Sequence, residues 1–248
     1  MKHIFSILLS IILLGTNPAC TLKQEAYAVM SPDSTTLTFY YDTKKSSRQG
    51  TAYEINAEDS IPKWVKCVKR AEFLAPENPN FTTVVFDESF KDARPVSCAY
   101  WFAGFLELTE IKGISNLNTS NVTDMSYMFD HCYNLTKLDM SNFDTSKVKD
   151  MSCMFSFCKN LTSINVSSFD TSNVTNMDYM FDYSEKLKTI YAGDGWNTSK
   201  IGYSRGMFEN CTNLVGGKGT TFNSKVIDIT RAKIDGGKAN PGYLTAKK

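Results

Sequence analysis

The sequence predicts an α/β protein: a short solenoid with parallel strands on one face, short helices on the other, and a cap at each end. Three observations favour this class. They are a 26-residue internal repeat, a helical spacing of apolar residues in each copy, and an alternating apolar pattern that follows it. With 248 residues, 42% of them hydrophobic, the chain is long and apolar enough to form a packed core.

The repeat is defined by three copies that align without gaps. Thr119, Thr145 and Thr171 are separated by 26 residues, and they hold the same position in each copy. The copies lie near 117–142, 143–168 and 169–195, with degenerate copies before and after them. The repeat block is therefore predicted to cover residues 101–216.

The first half of each copy has the apolar spacing of a short helix. In the first complete copy the pattern consists of Val122, Met125, Met128 and Phe129. Thr119 and Ser120 precede this pattern and are candidates to cap the helix. Asp124 falls in its first turn, where the helix dipole favours a negative charge.

The second half of each copy alternates between apolar and polar residues, as a half-buried strand does. The alternating apolar pairs are Leu138 and Met140, Ile164 and Val166, and Ile190 and Ala192. One helix and one strand cannot bury their apolar faces alone. Stacked copies can, with their strands paired in a parallel sheet.

The repeat phrase F-D-T-S-x-V-x-x-M-x-x-M-F-x-x-C-x-x-L, found from Phe143, resembles a known family. It is similar to the bacterial surface protein 26-residue repeat family, the BspA-like leucine-rich-repeat proteins of Bacteroidetes. Residues 36–42 resemble the opening strand of that family, residues 84–90 and 93–95 its entry cap, and residues 216–220, 234–237 and 241–244 its exit cap. The resemblance implies a leucine-rich-repeat-like solenoid in a surface lipoprotein or cell-wall protein, with adhesion to host proteins or other microbes as the function of several members.

The first residues predict an export signal, because the apolar run Ile4–Leu14 is too short to span a bilayer. Asn17-Pro18-Ala19-Cys20 looks like a lipobox, which predicts a signal peptide at 1–19 and lipid attachment at Cys20. Asn17 departs from the apolar residue usual there. The alternative is cleavage after Ala28, at Ala26-Tyr27-Ala28, which would release a secreted or periplasmic chain.

These features predict the division of the chain and its location. Residues 20–100 form a linker and N-terminal cap, and residues 217–248 form a C-terminal cap. The protein is expected at the outer membrane or cell surface and contacts the membrane only through its lipid. The formal charge of +1 provides no strong field to attract nucleic acid.

The sequence predicts no catalytic residue, no metal site and no cofactor. His131 is the only histidine outside the signal, and the other copies carry Phe157, Tyr183 and Asn210 at its position. A dyad of His131 with Cys153 or Cys158 is conceivable, but it would be confined to one copy. Asp144 and Asp170 recur at one register of an exposed turn, whereas a glycosidase needs two convergent carboxylates.

The cysteines at repeat positions predict a buried column. Cys132, Cys158 and Cys211 are equivalent, and Ser184 replaces cysteine in the copy between the last two. The alternatives are a Cys132–Cys158 disulfide across adjacent copies and a Cys67–Cys98 disulfide in the N-terminal cap.

The solvent-facing strand positions predict a binding face for an unidentified host or microbial surface protein. These positions are Lys112, Lys137, Asp139, Ser163, Asn165, Thr189 and Tyr191. The predicted function is a non-enzymatic cell-surface protein, a lipoprotein that mediates adhesion or protein–protein binding. The alternatives are a structural accessory of an envelope or uptake assembly and a carbohydrate-active enzyme.

Overall fold

The computed structural model describes residues 23–55, 61–65, 67–70, 73–76 and 80–247. This part of the chain consists mainly of strands and tight turns. The strands are β1 (Glu25–Met30), β2 (Thr36–Asp42), β3 (Thr51–Glu54), β4 (Cys67–Arg70), β5 (Phe73–Pro76), β6 (Thr83–Phe86), β7 (Glu110–Lys112), β8 (Ser163–Val166), β9 (Thr189–Ala192) and β10 (Leu244–Ala246). Short 3₁₀ turns lie at Lys45–Ser47, Glu88–Asp92, Ile114–Asn116, Ile229–Arg231 and Gly237–Ala239.

The N-terminal part forms a mixed five-stranded sheet in the order β3-β1-β2-β6-β7. The β3–β1 and β1–β2 pairs are antiparallel, and the β2–β6 and β6–β7 pairs are parallel. Strand β2 buries Leu37 and Phe39, in the alternation expected of a strand with one face in the core. Phe39 packs on Phe86 of β6, with ring centroids 4.8 Å apart.

A smaller, fully parallel sheet has the order β10-β9-β8. Ile164 of β8, Ile190 of β9 and Leu244 of β10 are paired neighbours and buried. Strands β4 and β5 form a separate antiparallel pair. Both sheet contacts β6–β7 and β9–β10 cross the predicted domain boundaries, and one hydrophobic core extends from Ala28 to Leu244. The boundaries themselves remain predictions.

The repeat copies, which include β7, β8 and β9, lie side by side in register. Parallel bridges connect Ser97 to Asp124, Asp124 to Asp150, Asp150 to Asn176, and Asn176 to Tyr203. The N–H groups of alternate residues donate to the next copy, as from Tyr127 to the Ser152 carbonyl at 2.9 Å. Phe129, Phe155, Phe181 and Phe208 form a continuous buried stack with centroid separations of 5.7–5.8 Å.

The predicted α/β leucine-rich-repeat-like solenoid with a helical face is wrong, because the described residues contain no α-helix. An α-helix needs each N–H to bond the carbonyl four residues back. Here Met125 donates to Asp150 and Phe129 donates to Met154, both in the next copy. The intervening amides close i→i−3 turns, such as Met128 to Met125 at 3.3 Å, and these turns bring apolar residues inward at a nearly helical spacing.

Two further local predictions are wrong, the helix cap at Thr119 and the strand at Leu138 and Met140. Thr119 caps no helix; instead its buried hydroxyl accepts from the Asp144 N–H at 2.8 Å and donates to the Asp144 carbonyl at 2.9 Å. The segment with Leu138 and Met140 forms no strand, whereas the corresponding segments of the next two copies are β8 and β9. In the part of the chain described, no helix is long and apolar enough to cross a membrane.

Candidate functional site

The predicted binding face is assembled only in part. Ser163 pairs with Thr189, and Asn165 pairs with Tyr191, so these four residues lie together on β8 and β9. Lys112 lies in the other sheet, on β7, where its Nζ is 3.2 Å from Glu110. The remaining two positions, Lys137 and Asp139, are exposed in a segment outside both sheets.

The C-terminal strand extends this face. Thr245 of β10 pairs with Tyr191, and the Lys247 ammonium lies 5.7 Å from the centroid of the Tyr191 ring. The face therefore presents one aromatic ring that a lysine of the same chain already contacts.

The cysteine column is formed by free, buried thiols. Each Sγ donates to the carbonyl of a phenylalanine in the preceding copy: Cys132 to Phe102 at 3.3 Å, Cys158 to Phe129 at 3.3 Å, and Cys211 to Phe181 at 2.9 Å. Ser184 makes the same bond to Phe155 at 2.8 Å, which explains why a hydroxyl replaces a thiol there. Neither of the two alternative disulfides is present, because Cys98, Cys132 and Cys158 are free. Cys20 and the Cys67 side chain lie outside the described residues.

A second surface of the repeats was not predicted and is more distinctive. Two positions in each copy adopt a left-handed backbone with bulky side chains, as at Tyr127 (φ 57°) and His131 (φ 59°). Such a conformation costs about 1–2 kcal/mol for an L-residue other than glycine. It recurs at Cys153 and Phe157, and again at Tyr179 and Tyr183, so the left-handed positions form two rows across the copies. Cys153 is buried, whereas Phe157 and the tyrosines are at least partly exposed.

The rows enclose a groove of about 390 Å³. One wall is the stack of His131, Phe157 and Tyr183, with centroids 4.3 Å and 4.5 Å apart and rings nearly parallel. The groove is lined by Tyr127, Asp130, His131, Cys153, Ser156, Phe157, Tyr179, Asp182, Tyr183 and Glu209. Three of these ten residues carry carboxyl groups, and His131 is the one basic residue among them.

Two buried carboxyl groups dominate the electrostatics of the groove. Burial raises the pKa of Asp130, whose Oδ1 lies 2.8 Å from Nδ1 of His131. This is ion-pair distance, although the geometry is not that of a hydrogen bond. Burial, followed by the negative charge of Glu209, raises the pKa of Asp182 to about 7. Asp182 is only 7% exposed, and its Oδ1 has no hydrogen-bond partner.

The end of the groove depends on Gly206, which takes the left-handed position in the last copy (φ 57°). A Cβ there would lie 2.6 Å from the Tyr179 ring and 2.9 Å from Oε2 of Glu209. Real Cβ atoms do not approach neighbours so closely, so a side chain would displace the ring or the carboxylate. The glycine thus lets Glu209 come close to the groove wall.

The groove brings together the His131 and Cys153 of the conceivable dyad. Burial raises the pKa of the Cys153 thiol to about 12, so almost no thiolate forms near neutral pH. This environment is the opposite of that of an activated nucleophile. Asp144 and Asp170 lie outside the groove, where each accepts an N–H and a hydroxyl from the serine two residues on, Ser146 and Ser172.

The sequence contained one signal for this groove. His131, Phe157 and Tyr183 share a repeat position, and three ring-bearing side chains at one register stack when the copies lie in register. The repeat position just before these rings changes from copy to copy. It holds Asp130 in the first copy and Asp182 in the third. No group of three or more histidine, cysteine or acidic side chains among the described residues could hold a metal ion.

Comparison with known proteins assigns the repeat region to a family. The family model described as "Mycoplasma protein of unknown function, DUF285" matches residues 96–228, more than half of the chain. No curated protein matches the chain, and neither does any solved structure. The predicted membership of the BspA-like leucine-rich-repeat family is therefore wrong, because the match points to a different family.

Proposed function

The chain belongs to the DUF285 family, and from that premise we propose that it is a non-enzymatic surface protein that binds a partner protein. The observation that carries this proposal is the groove between the two rows of left-handed residues. Its buried carboxyl group on Asp182 has an oxygen without a hydrogen-bond partner. Burying a carboxyl group without a hydrogen-bond partner costs free energy and adds nothing to core packing. A role in binding a partner would explain why this carboxyl group is buried.

The arrangement of the repeats also favours recognition. The core methionine position is unchanged in Met128, Met154 and Met180. The buried polar residues that line the groove, which we call its floor, change from Asp130 to Ser156 to Asp182. A regular scaffold that displays differing side chains at one surface is the usual design of repeat proteins that bind other proteins.

We further propose that the protein is exported and held at the cell surface by a lipid on Cys20. The support is the position of the alternative cleavage site inside strand β1. Tyr27 and Ala28 are fully buried there, and β1 pairs with strands on both sides. Cleavage after Ala28 would divide this central strand, whereas processing at Cys20 leaves it intact.

The test measures adhesion of beads coated with the full chain to host cells and to other bacteria. We expect Asp182→Asn in the groove to lower adhesion at least tenfold, because it removes the buried charge. Asp144→Asn is the matched control, since Asn118 and Asn197 hold the same position in other copies. Equal adhesion of all three proteins would contradict the groove as the binding site.

The strand face remains a second proposed contact surface. Lys137→Glu, Asp139→Lys and Tyr191→Ala in one chain reverse two exposed charges of the predicted face, which lie outside the sheets, and remove the ring on β9, and none of the three residues lines the groove. Loss of adhesion in this variant, with normal adhesion of Asp182→Asn, would move the binding site to the strand face.

One observation favours a second function, the hydrolysis of a glycan. A carboxyl group with a pKa of about 7 beside a second carboxyl group is what a general acid requires. Within the stack, however, the rings of His131, Phe157 and Tyr183 cover one another, so the faces between them are closed to a sugar. Release of aryl alcohol from a panel of aryl glycosides, lost in Asp182→Asn, would establish this function.

A further inference from the structure

The groove floor also indicates the chemical class of the ligand, an inference that rests on the proposed function. Oδ1 of Asp182 is buried and accepts no hydrogen bond from the protein. A buried carboxylate oxygen ordinarily accepts from one or more donors. Its position on the groove floor means that a group entering the groove can supply the donor.

The charge of the groove selects a cation. Asp130, Asp182 and Glu209 are all among its lining residues, against His131 as the one basic residue. His131 is within ion-pair distance of Asp130, at 2.8 Å, which leaves Asp182 and Glu209 facing the open part of the groove without a basic side chain among the lining residues. An anionic ligand would meet two like charges there.

The walls select a ligand with an apolar stem and a compact charge. The faces of Phe157 and Tyr183 cover each other at 4.5 Å, so no face between them is open to stack on a planar guanidinium. Ring edges are suited to contact with methylene groups instead. A lysine side chain has four methylenes and an ammonium with three donors, and lysine commonly buries its stem while its charge reaches a polar partner.

We propose that the groove binds a lysine side chain of the partner protein, with the ammonium at Asp182 and Glu209 and the methylene stem between Tyr179 and the Phe157–Tyr183 stack. The volume of about 390 Å³ accommodates one such side chain together with water. The ammonium supplies the donor that Oδ1 of Asp182 lacks, and its single positive charge offsets one of the two negative charges of Asp182 and Glu209.

This mode of binding is linked to pH. The groups that face Asp182 are Glu209, Asp130 and His131, and two further cations lie near the walls: Arg205 over the Tyr179 ring and Lys159 over the Phe157 ring. An ammonium binds the charged form of Asp182, whose fraction rises from about 10% at pH 6 to about 90% at pH 8.

The experiment titrates the full chain with the peptide acetyl-Gly-Lys-Gly-amide by calorimetry in two buffers of different ionisation enthalpy. We expect binding that strengthens about tenfold from pH 6 to pH 8. Proton release near pH 7 should make the observed heat differ between the two buffers. The same peptide with an acetylated lysine should bind at least tenfold more weakly. Asp182→Asn should lose both the affinity and the pH dependence, whereas Asp144→Asn should keep both.

Three outcomes overturn the proposal. Equal binding of the acetylated peptide would show that the charge is not recognised. Tighter binding of the corresponding arginine peptide, or of spermidine, would assign the groove to a guanidinium or to a free polyamine. No heat with any probe, in a chain whose near-ultraviolet circular dichroism shows a folded core, would mean that only water solvates Asp182.

The failure of this inference is distinguishable from failure of the proposed function. If Asp182→Asn lowers adhesion but the lysine peptide does not bind, the groove binds a partner of another chemistry. If the peptide binds but adhesion is unaffected by Asp182→Asn, the lysine site exists and the partner contacts another surface.

Discussion

Asp182 shows at the scale of one residue how a repeat protein departs from its own consensus. The equivalent residue is Ser156 in the preceding copy, so a neutral side chain fits the same backbone. The carboxyl group is nevertheless buried beside Glu209, which raises its pKa to about 7. A charge in such a place lowers the stability of the fold at neutral pH. Its presence is explained if the charge binds a partner in the groove.

The stability of the protein should therefore depend on Asp182 and pH. The pKa of Asp182 is higher in the folded chain than its ordinary value of 3.8, so the folded state binds more protons between about pH 4 and 7. The contribution of this group to stability falls as pH rises through that window. We expect Asp182→Asn to raise the free energy of unfolding by on the order of 1–3 kcal/mol at pH 8 and by much less at pH 4.

Urea unfolding of the unchanged chain and of Asp182→Asn at pH 4, 6 and 8 measures this difference in the free energy of unfolding. Asp144→Asn serves as control, and we expect it to change the free energy of unfolding by no more than about 0.5 kcal/mol. A destabilised Asp182→Asn at pH 8 would mean that the carboxylate has a donor after all.

At the scale of structural elements, the copies are joined by hydrogen bonds along the stack. Each copy uses alternate amides for its neighbour, and a buried threonine adds two more bonds. Thr145 accepts from the Asp170 N–H at 2.9 Å and donates to the Asp170 carbonyl at 2.9 Å. The same arrangement links Thr171 to Asn197, so this threonine is a repeated connector.

Replacing the connector should weaken the contact between copies. Thr145→Val keeps the shape of a side chain that is 1% exposed but leaves two backbone groups of Asp170 without their partner. We expect a loss of about 1–3 kcal/mol in the free energy of unfolding, measured with urea. Thr198→Val is the matched control, because Thr198 is half-buried in the last copy and should tolerate the change. Equal effects at both positions would contradict the connector role.

At the scale of the whole molecule, the N-terminal sheet and the repeats share one core. Trp64 donates its indole N–H to the Trp101 carbonyl at 2.8 Å, and Phe39 stacks on Trp101 with centroids 5.0 Å apart. Strand β7, from within the predicted repeat block, completes the N-terminal sheet. The N-terminal sheet therefore closes one end of the repeat stack, as strand β10 does near the other.

The site of processing should for this reason decide whether the chain folds well. A chain that starts at residue 29 lacks four of the six residues of β1, including the fully buried Tyr27. Loss of such a buried aromatic side chain costs about 3–5 kcal/mol. We expect the chain from residue 29 to unfold at a clearly lower urea concentration than the chain from residue 21. Equal midpoints would restore cleavage after Ala28 as a workable alternative.

The sequence alone determined the period of the repeat and which residues face inward. Val122, Met125, Met128 and Phe129 are all buried, as their spacing predicts, and β8 and β9 lie where the alternation begins in the second and third copies. Apolar spacing carries this information because burial depends on the direction of the side chain, and nearly the same direction results from a helix or from tight turns.

Only the tertiary structure decided the partner of each backbone amide, and with it the fold class and the groove. A backbone N–H can donate to the carbonyl four residues back or to a carbonyl in the next copy. Which of the two it finds depends on contacts about 26 residues apart, and helix propensity does not encode such contacts. Left-handed backbone at Tyr127 and His131 runs against the preference of bulky residues, so it had no local signal. The floor joins Asp130 to Glu209, 79 positions away, and such convergence exists only once the copies are stacked.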